Sequence, residues 1–219
     1  MIQTGKKRFH ILQPCIDDLA TGGRRHKMLD KIAEIRQVLS QEECEALTNQ
    51  AVGWYKQGRM SMAPLQPRFG RWRIDLADAA GRPLGIDAQG QPFHESLCVD
   101  LATLCQRVIR QFDLDPAKVA PHKCFFTMFL EGAVLPEHMD PPTDVIRFVF
   151  LIRKPEAGGL VKLAGQELPL SPGDCYALPL RLLHGVTKVE SGVRIALAMG
   201  LRVAPDLHQR LTLAAPPTH

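Results

Sequence analysis

The chain has 219 residues, of which 45% are hydrophobic and 23% charged, and a net charge of +4. That composition excludes an intrinsically disordered chain, and so mild a positive balance is not the footprint of a nucleic-acid-binding protein. No apolar run approaches the roughly 20 residues a membrane-spanning helix needs, so no membrane association is expected.

Lys6-Lys7-Arg8 makes a positive start, but His10, Gln13 and Asp17 interrupt the stretch that follows. A secretory signal is therefore not expected. The six cysteines (Cys15, Cys44, Cys98, Cys105, Cys124 and Cys175) are scattered without a C-x-x-C pair. They read as buried or free thiols, and the expected compartment is the cytoplasm. Arg8 to Leu12 is a short strand candidate, and Gly22-Gly23-Arg24-Arg25 reads as a loop. Ile35 to Leu39 fits a strand or the end of a helix, because so short a run shows no decisive period. Ser40-Gln41-Glu42-Glu43 is a capping box. Cys44, Leu47, Ala51 and Trp54 follow at helical spacing, and Gly58 supplies the stop.

Arg71 to Leu76 alternates as a strand does. Gly81, Pro83, Gly85, Gly90 and Pro92 then make a wide loop, which either borders a functional site or is plain surface. Arg68, Arg71 and Arg73 read either as solvated surface or as contacts for an anionic substrate near a pocket mouth. Residues 93–113 predict a second helix, with Leu97, Leu101, Leu104, Val108 and Phe112 on one stripe. Asp115-Pro116 ends it.

From residue 122 the period changes to two. Lys123 to Leu130, Val145 to Arg153, Leu160 to Leu163, Glu167 to Leu170, Cys175 to Leu178, Val186 to Val189 and Val193 to Val203 are all strand candidates. Gly-, Pro- and Asp-rich turns separate them. Many short strands spaced by turns predict a sandwich or barrel, and helices ahead of the strands predict packing on one outer face of the sheet.

His138 and Asp140 stand two apart, so on a strand both would point to one face. His184 emerges alone from an apolar run. Two imidazoles and one carboxylate leave open positions on an octahedral Fe(II), although Zn²⁺ also accepts such ligands. Taken singly, an H-x-D is more often a surface pair and a lone histidine more often a core residue. Their order along the chain adds weight: H-x-D, then Gly158-Gly159, Pro172-Gly173-Asp174, His184-Gly185-Val186, and Gly192-x-Arg194.

That order resembles the core of the Fe(II)/2-oxoglutarate-dependent oxygenases. Val38-Leu39-Ser40-Gln41-Glu42-Glu43-Cys44 further resembles the opening of their prolyl-hydroxylase-like branch. The resemblance covers roughly residues 35–57 and 122–203. It implies an α+β fold, with a double-stranded β-helix (jelly roll) core and N-terminal helices packed on one outer face. Residues 1–219 would form one domain: 1–121 as helices, strands and an active-site loop, 122–203 as the catalytic β-core, and 204–219 as a C-terminal tail.

It also implies His138, Asp140 and His184 as iron ligands, with Arg194 holding the distal carboxylate of 2-oxoglutarate through its planar fork. Arg202 and Arg147 are the alternative anchors. Branch members often place a tyrosine on the strand before H-x-D. Here Cys124 to Leu130 contains none, and Thr127 is the substitute donor. Phe126, Met128, Phe148 and Leu182 are candidates for an apolar wall, or else plain core.

The implied activity is hydroxylation of a small molecule, such as an amino acid or biosynthetic intermediate, with O₂ consumed and succinate and CO₂ released. Desaturation and cyclisation share the scaffold, whereas Asp140 disfavours halogenation. Two rival readings are a cupin-like metalloenzyme that does not use 2-oxoglutarate and a non-catalytic binding module on the same scaffold. The helices and the basic N-terminal arm offer surfaces for a homodimer.

Overall fold

In the computed structural model, which describes residues 35–62, 70–84, 90, 97–141 and 144–206, strand β1 (Ile35–Gln37) leads directly into helix α1 (Gln41–Lys56). The capping box forms as its sequence requires. Ser40 Oγ accepts from the Glu43 N–H at 3.1 Å, and Glu43 Oε2 accepts from the Ser40 N–H at 2.9 Å. Two otherwise orphaned groups are satisfied, worth about 1 kcal/mol for the cap. Cys44, Leu47, Ala51 and Trp54 form the buried stripe. Gly58 takes a φ of 72° just past the helix, where a side chain would be strained.

Strands β2 (Ser61–Met62) and β3 (Arg71–Ala77) follow, then helix α2 (Leu101–Gln111). This helix starts later than the apolar period suggests. The Asp100 carboxylate accepts from the Thr103 N–H at 2.7 Å, so the residue is the cap and not part of the helix. Leu97 therefore precedes the helix. The Arg8 to Leu12 strand candidate, the loop at 22–25, Cys15, Arg68 and residues 93–96 lie outside the described residues.

The remaining strands are β4 (Val119–Phe129), β5 (Leu135–His138), β6 (Val145–Arg153), β7 (Ala157–Gly158), β8 (Val161–Leu163), β9 (Gln166–Leu168), β10 (Asp174–Pro179), β11 (His184–Val186), β12 (Val189–Ser191) and β13 (Arg194–Val203). One expectation changes. The run from Val186 to Val189 is not one strand, because Val186 pairs with β8 and Val189 pairs with Gly158 of β7.

The larger sheet has seven strands in the order β1-β10-β6-β13-β4-β3-β2, and a four-stranded sheet runs β5-β11-β8-β9. Pairing in both is antiparallel. One apolar cluster joins the two sheets, with Val149, Leu151, Ala196 and Ala198 of the larger meeting Val161, Leu163 and Leu168 of the smaller. A second cluster lies on the opposite face of the larger sheet, where Phe126, Met128 and Phe148 meet Leu47, Trp54, Leu104 and Val108 of the helices. Trp54 meets Phe126 edge-on at 5.9 Å and Phe112 meets Phe148 at 4.9 Å.

Strand alternation therefore puts Phe126, Met128 and Phe148 on the helix side, away from the space between the sheets. Truncating Phe126 to alanine is expected to lower the unfolding free energy by about 3–5 kcal/mol in a denaturant titration. A loss below about 1 kcal/mol would contradict its placement in the core.

Candidate metal centre

His138 is the last residue of β5 and His184 the first of β11, and the two are paired across the antiparallel ladder. Their ring centroids lie 4.4 Å apart. Asp140 has already left the strand, so strand alternation is not what aims it. Its backbone N–H donates to the Leu180 carbonyl at 2.9 Å, which holds the turn against the approach to β11. Asp140 Oδ1 lies 3.8 Å from His138 Nε2, and Asp140 Oδ2 lies 4.0 Å from His184 Nε2. One ion with bonds of about 2.0–2.2 Å can bridge donors so spaced. Among the described residues these three form the group able to hold a metal ion, their donor atoms all within 4.8 Å of one another.

Each imidazole is already oriented. His138 Nδ1 donates to the Pro136 carbonyl at 2.9 Å and His184 Nδ1 to the Leu182 carbonyl at 2.8 Å. A carbonyl can only accept, so each neutral ring carries its proton on Nδ1 and presents the Nε2 lone pair to the shared space. That is the usual arrangement of a metal-ligating histidine and its supporting acceptor. Burial above all pushes the His184 pKa down, with His138 adding to it against the pull of the Leu182 carbonyl and Asp140. Asp140 Oδ2 accepts from Arg147 Nη1 at 3.1 Å.

Gly185 lets the two strands approach. A Cβ there would stand 2.6 Å from the Leu135 oxygen and 3.0 Å from the Glu137 nitrogen, both backbone atoms of β5. Gly185→Ala is expected to push β5 away from β11 and separate His138 from His184. Fe(II) affinity should fall at least about tenfold, the size of effect seen when the support of a ligand is disturbed. Unchanged affinity in a metal titration would contradict that account.

A cavity of about 240 Å³ opens above the triad, lined by all three candidate ligands and by the inner face of the larger sheet. Its floor is set by register. Arg194, Phe129 and Arg71 stand side by side across β13, β4 and β3, and Ala196, Thr127 and Arg73 form the next row. Arg194 is only 2% exposed. Its Nε is buried with no hydrogen-bond partner among the described residues. Its nearest aromatic companion is Phe129, with Cζ 5.5 Å from the ring centroid. Burial lowers its pKa, partly offset by Tyr176. A buried guanidinium with no carboxylate partner among the described residues is costly, so the arrangement suits an anionic ligand.

The other expected residues separate. Thr127 lines the cavity, its hydroxyl donating to the Ala196 carbonyl at 3.5 Å. Arg147 also lines it, but its guanidinium is engaged by Asp140. Arg202 lies on a different cavity, with Asp78 and Arg82, and cannot serve as the anchor. The apolar wall is Phe125, Phe129, Val149 and Leu178, not Phe126, Met128, Phe148 and Leu182. For the first three of the latter the reason is strand parity: with Thr127 of β4 and Arg147 and Val149 of β6 facing the cavity, Phe126, Met128 and Phe148 must face away. Leu182 is buried in the core between the sheets.

Four further residues line the cavity; the sequence offers Arg71 and Arg73 as contacts for an anionic substrate and Arg147 as an alternative anchor, and gives Tyr176 no role. Arg71 and Arg73 come from β3, where the alternation of Arg71 and Arg73 against Trp72 and Ile74 was the available signal. Arg71, whose Nε is also buried with no partner among the described residues, has its pKa lowered to about 10, by burial first and then by Arg73 and Arg147. Arg147 steadies a candidate ligand. Tyr176, on β10, lines the cavity and is 4% exposed. It brings a phenol to the site from a strand other than the one where a tyrosine was sought.

No family model matches the sequence, and no curated protein matches it by sequence. Solved structures do match the fold. A prolyl-4-hydroxylase from Pseudomonas putida superposes with a TM-score of 0.57 at 14% identity, over 78% of this chain and 93% of that one. A viral collagen prolyl hydroxylase from Paramecium Bursaria Chlorella virus-1, in complex with 2-oxoglutarate, gives 0.55 at 15% identity, over 80% and 97%. HygX from Streptomyces hygroscopicus, with nickel, 2-oxoglutarate and hygromycin B bound, gives 0.52 at 13% identity, over 80% and 84%. With its triad between two antiparallel sheets and its helices on the far face of the larger, this chain has the fold of the prolyl hydroxylases and related 2-oxoglutarate oxygenases.

Proposed function

We propose that this protein is an Fe(II)- and 2-oxoglutarate-dependent oxygenase built on a double-stranded β-helix, and that it hydroxylates an unactivated C–H bond of a small molecule. The observation that carries this reading is the buried Arg194, its Nε without a partner among the described residues, lining the same cavity as the His138, Asp140 and His184 triad. The donor set fits the metal, with two neutral imidazoles and a carboxylate on one side and space on the other. Arg194 fits the distal carboxylate of 2-oxoglutarate, with Thr127 and Tyr176 as further donors on the same wall. Iron and 2-oxoglutarate together supply the oxidising power: one O₂ is consumed, the cosubstrate leaves as succinate and CO₂, and the substrate gains one oxygen. The chain's own residues position these groups and keep the reacting bond dry, with Phe125, Phe129, Val149 and Leu178 as the apolar side of the cavity.

A small-molecule substrate is supported by the size of the cavity and by HygX, whose structure holds hygromycin B. The test is anaerobic titration of the metal-free protein with Fe(II) and then 2-oxoglutarate, followed by assays of 2-oxoglutarate decarboxylation with small molecules and with proline-containing peptides. The expected result is a weak visible charge-transfer band when both are bound, and turnover stimulated by small molecules. Iron binding without the band points to a metalloenzyme that does not use 2-oxoglutarate. Absence of metal binding overturns the reading, and stimulation by peptides alone overturns its substrate class.

A further inference from the structure

The charge around the cavity exceeds what the metal and the cosubstrate would neutralise. Arg71, Arg73, Arg147 and Arg194 line it against one carboxylate, Asp140. Iron(II) and 2-oxoglutarate carry equal and opposite charges, so binding both leaves the excess in place. Arg194 is assigned to the cosubstrate. The remaining three guanidiniums have no such ligand.

Two of them converge. Arg73 Cζ lies 3.7 Å from the centroid of the Phe125 ring, and Arg147 Cζ lies 5.4 Å from the same centroid. Beside them a second cavity of about 160 Å³ adjoins the first, sharing Arg73, Phe125 and Arg147 with it. The annex adds Lys123 and His122 to its walls, and among the described residues no acidic one lines it. Arg73 has Asp75 as its carboxylate partner, but that aspartate is half exposed and lies outside both linings. The partner of Arg147 is Asp140, whose charge a bound metal would draw away. Burial first, then Arg202 and Lys123, hold His122 below the ordinary imidazole range against the pull of Asp144. Cationic groups gathered around an enclosed space attract an anion and hold it with charge-assisted hydrogen bonds.

Resting on the reading of the site given above, we infer that the substrate carries an anionic group, a carboxylate or a phosphate, that docks in this annex against Arg73, Arg147 and Lys123. Arg147 touches both the annex and the Asp140 carboxylate, so a group seated there leaves the rest of the substrate over the triad. Phe125 gives the apolar part of the substrate a surface between the two.

The test is calorimetric titration of the protein loaded with Mn(II) and saturating 2-oxoglutarate, using inorganic phosphate, benzoate and, as the uncharged control, benzamide. Phosphate or benzoate is expected to bind and benzamide not to, and the tighter of the two anions identifies the chemistry of the group. Arg73→Gln should weaken the anion about tenfold through the loss of one charge-assisted hydrogen bond. Lys123→Gln, at an exposed position with no risk to the fold, should weaken it about threefold. 2-Oxoglutarate should still saturate both variants, which also shows that they are folded. Anions that bind no better than benzamide, that are displaced by 2-oxoglutarate, or that bind both variants as tightly as the parent overturn the inference while leaving the proposed function standing. If 2-oxoglutarate itself does not bind the Mn(II) protein, the proposed function fails, and the inference falls with it.

Discussion

Arg194→Met is expected to raise the dissociation constant for 2-oxoglutarate about a hundredfold, without lowering the stability of the ligand-free protein. The first half follows from the fork geometry. A guanidinium facing a carboxylate offers two charge-assisted hydrogen bonds, each worth about 1.5–3 kcal/mol, and a hundredfold loss needs about 2.8 kcal/mol. The second half follows from burial. Arg194 is 2% exposed and its Nε has no partner among the described residues, so its buried charge is a cost to the fold. Methionine fills similar space without that cost, which offsets the loss of a buried contact with Phe129 worth about 2 kcal/mol. Equilibrium binding and thermal unfolding on the same two proteins check both halves. A variant that binds 2-oxoglutarate normally removes Arg194 as the anchor, and one that melts well below the parent makes its role structural.

His184→Ala should reduce Fe(II) affinity by more than about a hundredfold and abolish 2-oxoglutarate turnover, while the chain still folds. Disturbing the support of a metal-ligating histidine alone costs 10–100-fold in affinity, so removing the ligand costs more. His184 is buried and paired with His138 across the ladder, and the strand hydrogen bonds do not depend on its side chain. The readouts are anaerobic Fe(II) titration and far-ultraviolet circular dichroism. Retained iron affinity would mean that the two imidazoles and the carboxylate meet for packing and not for a metal. The same comparison in His138→Ala separates the contributions of the two rings, whose Nδ1 atoms are held by different carbonyls.

The two experiments probe different levels of the design. Arg194 depends on the larger sheet, because its neighbours Phe129 and Arg71 stand beside it through strand register. The triad depends on the smaller sheet, where β5 and β11 bring the histidines together, and on the turn that carries Asp140 to the Leu180 carbonyl. A function that needs both therefore needs the two sheets held face to face, which is the work of the apolar cluster of Val149, Leu151, Ala196, Val161 and Leu163.

Some of this was written into short stretches of sequence. The capping box at Ser40 specifies a helix start through atoms three residues apart, and the helix starts there. Turns at Gly158-Gly159 and at Pro172-Gly173-Asp174 separate strands because their backbone conformations suit few other residues. His138, Asp140, His184 and Arg194 could be picked out in order along the chain, each standing out from an apolar or turn context. Other features have no local signature. In β4 the six residues from Cys124 to Phe129 are all buried, because one face of the strand meets the helices and the other meets the cavity and the smaller sheet. Alternation still tells which residues share a face, but when both faces are apolar it cannot say which face looks inward. That is why Phe126 and Met128 pass for cavity wall in the sequence while Phe125 and Phe129 hold that place in the fold. The same limit hides Tyr176 and leaves Arg71 and Arg73 open between surface and pocket mouth, since the strands that place them beside β4 and β6 are distant in the chain and register is a property of the whole sheet. The kinds of side chain the site would use were settled by local chemistry. Which of them share one cavity was settled only when distant strands came into register.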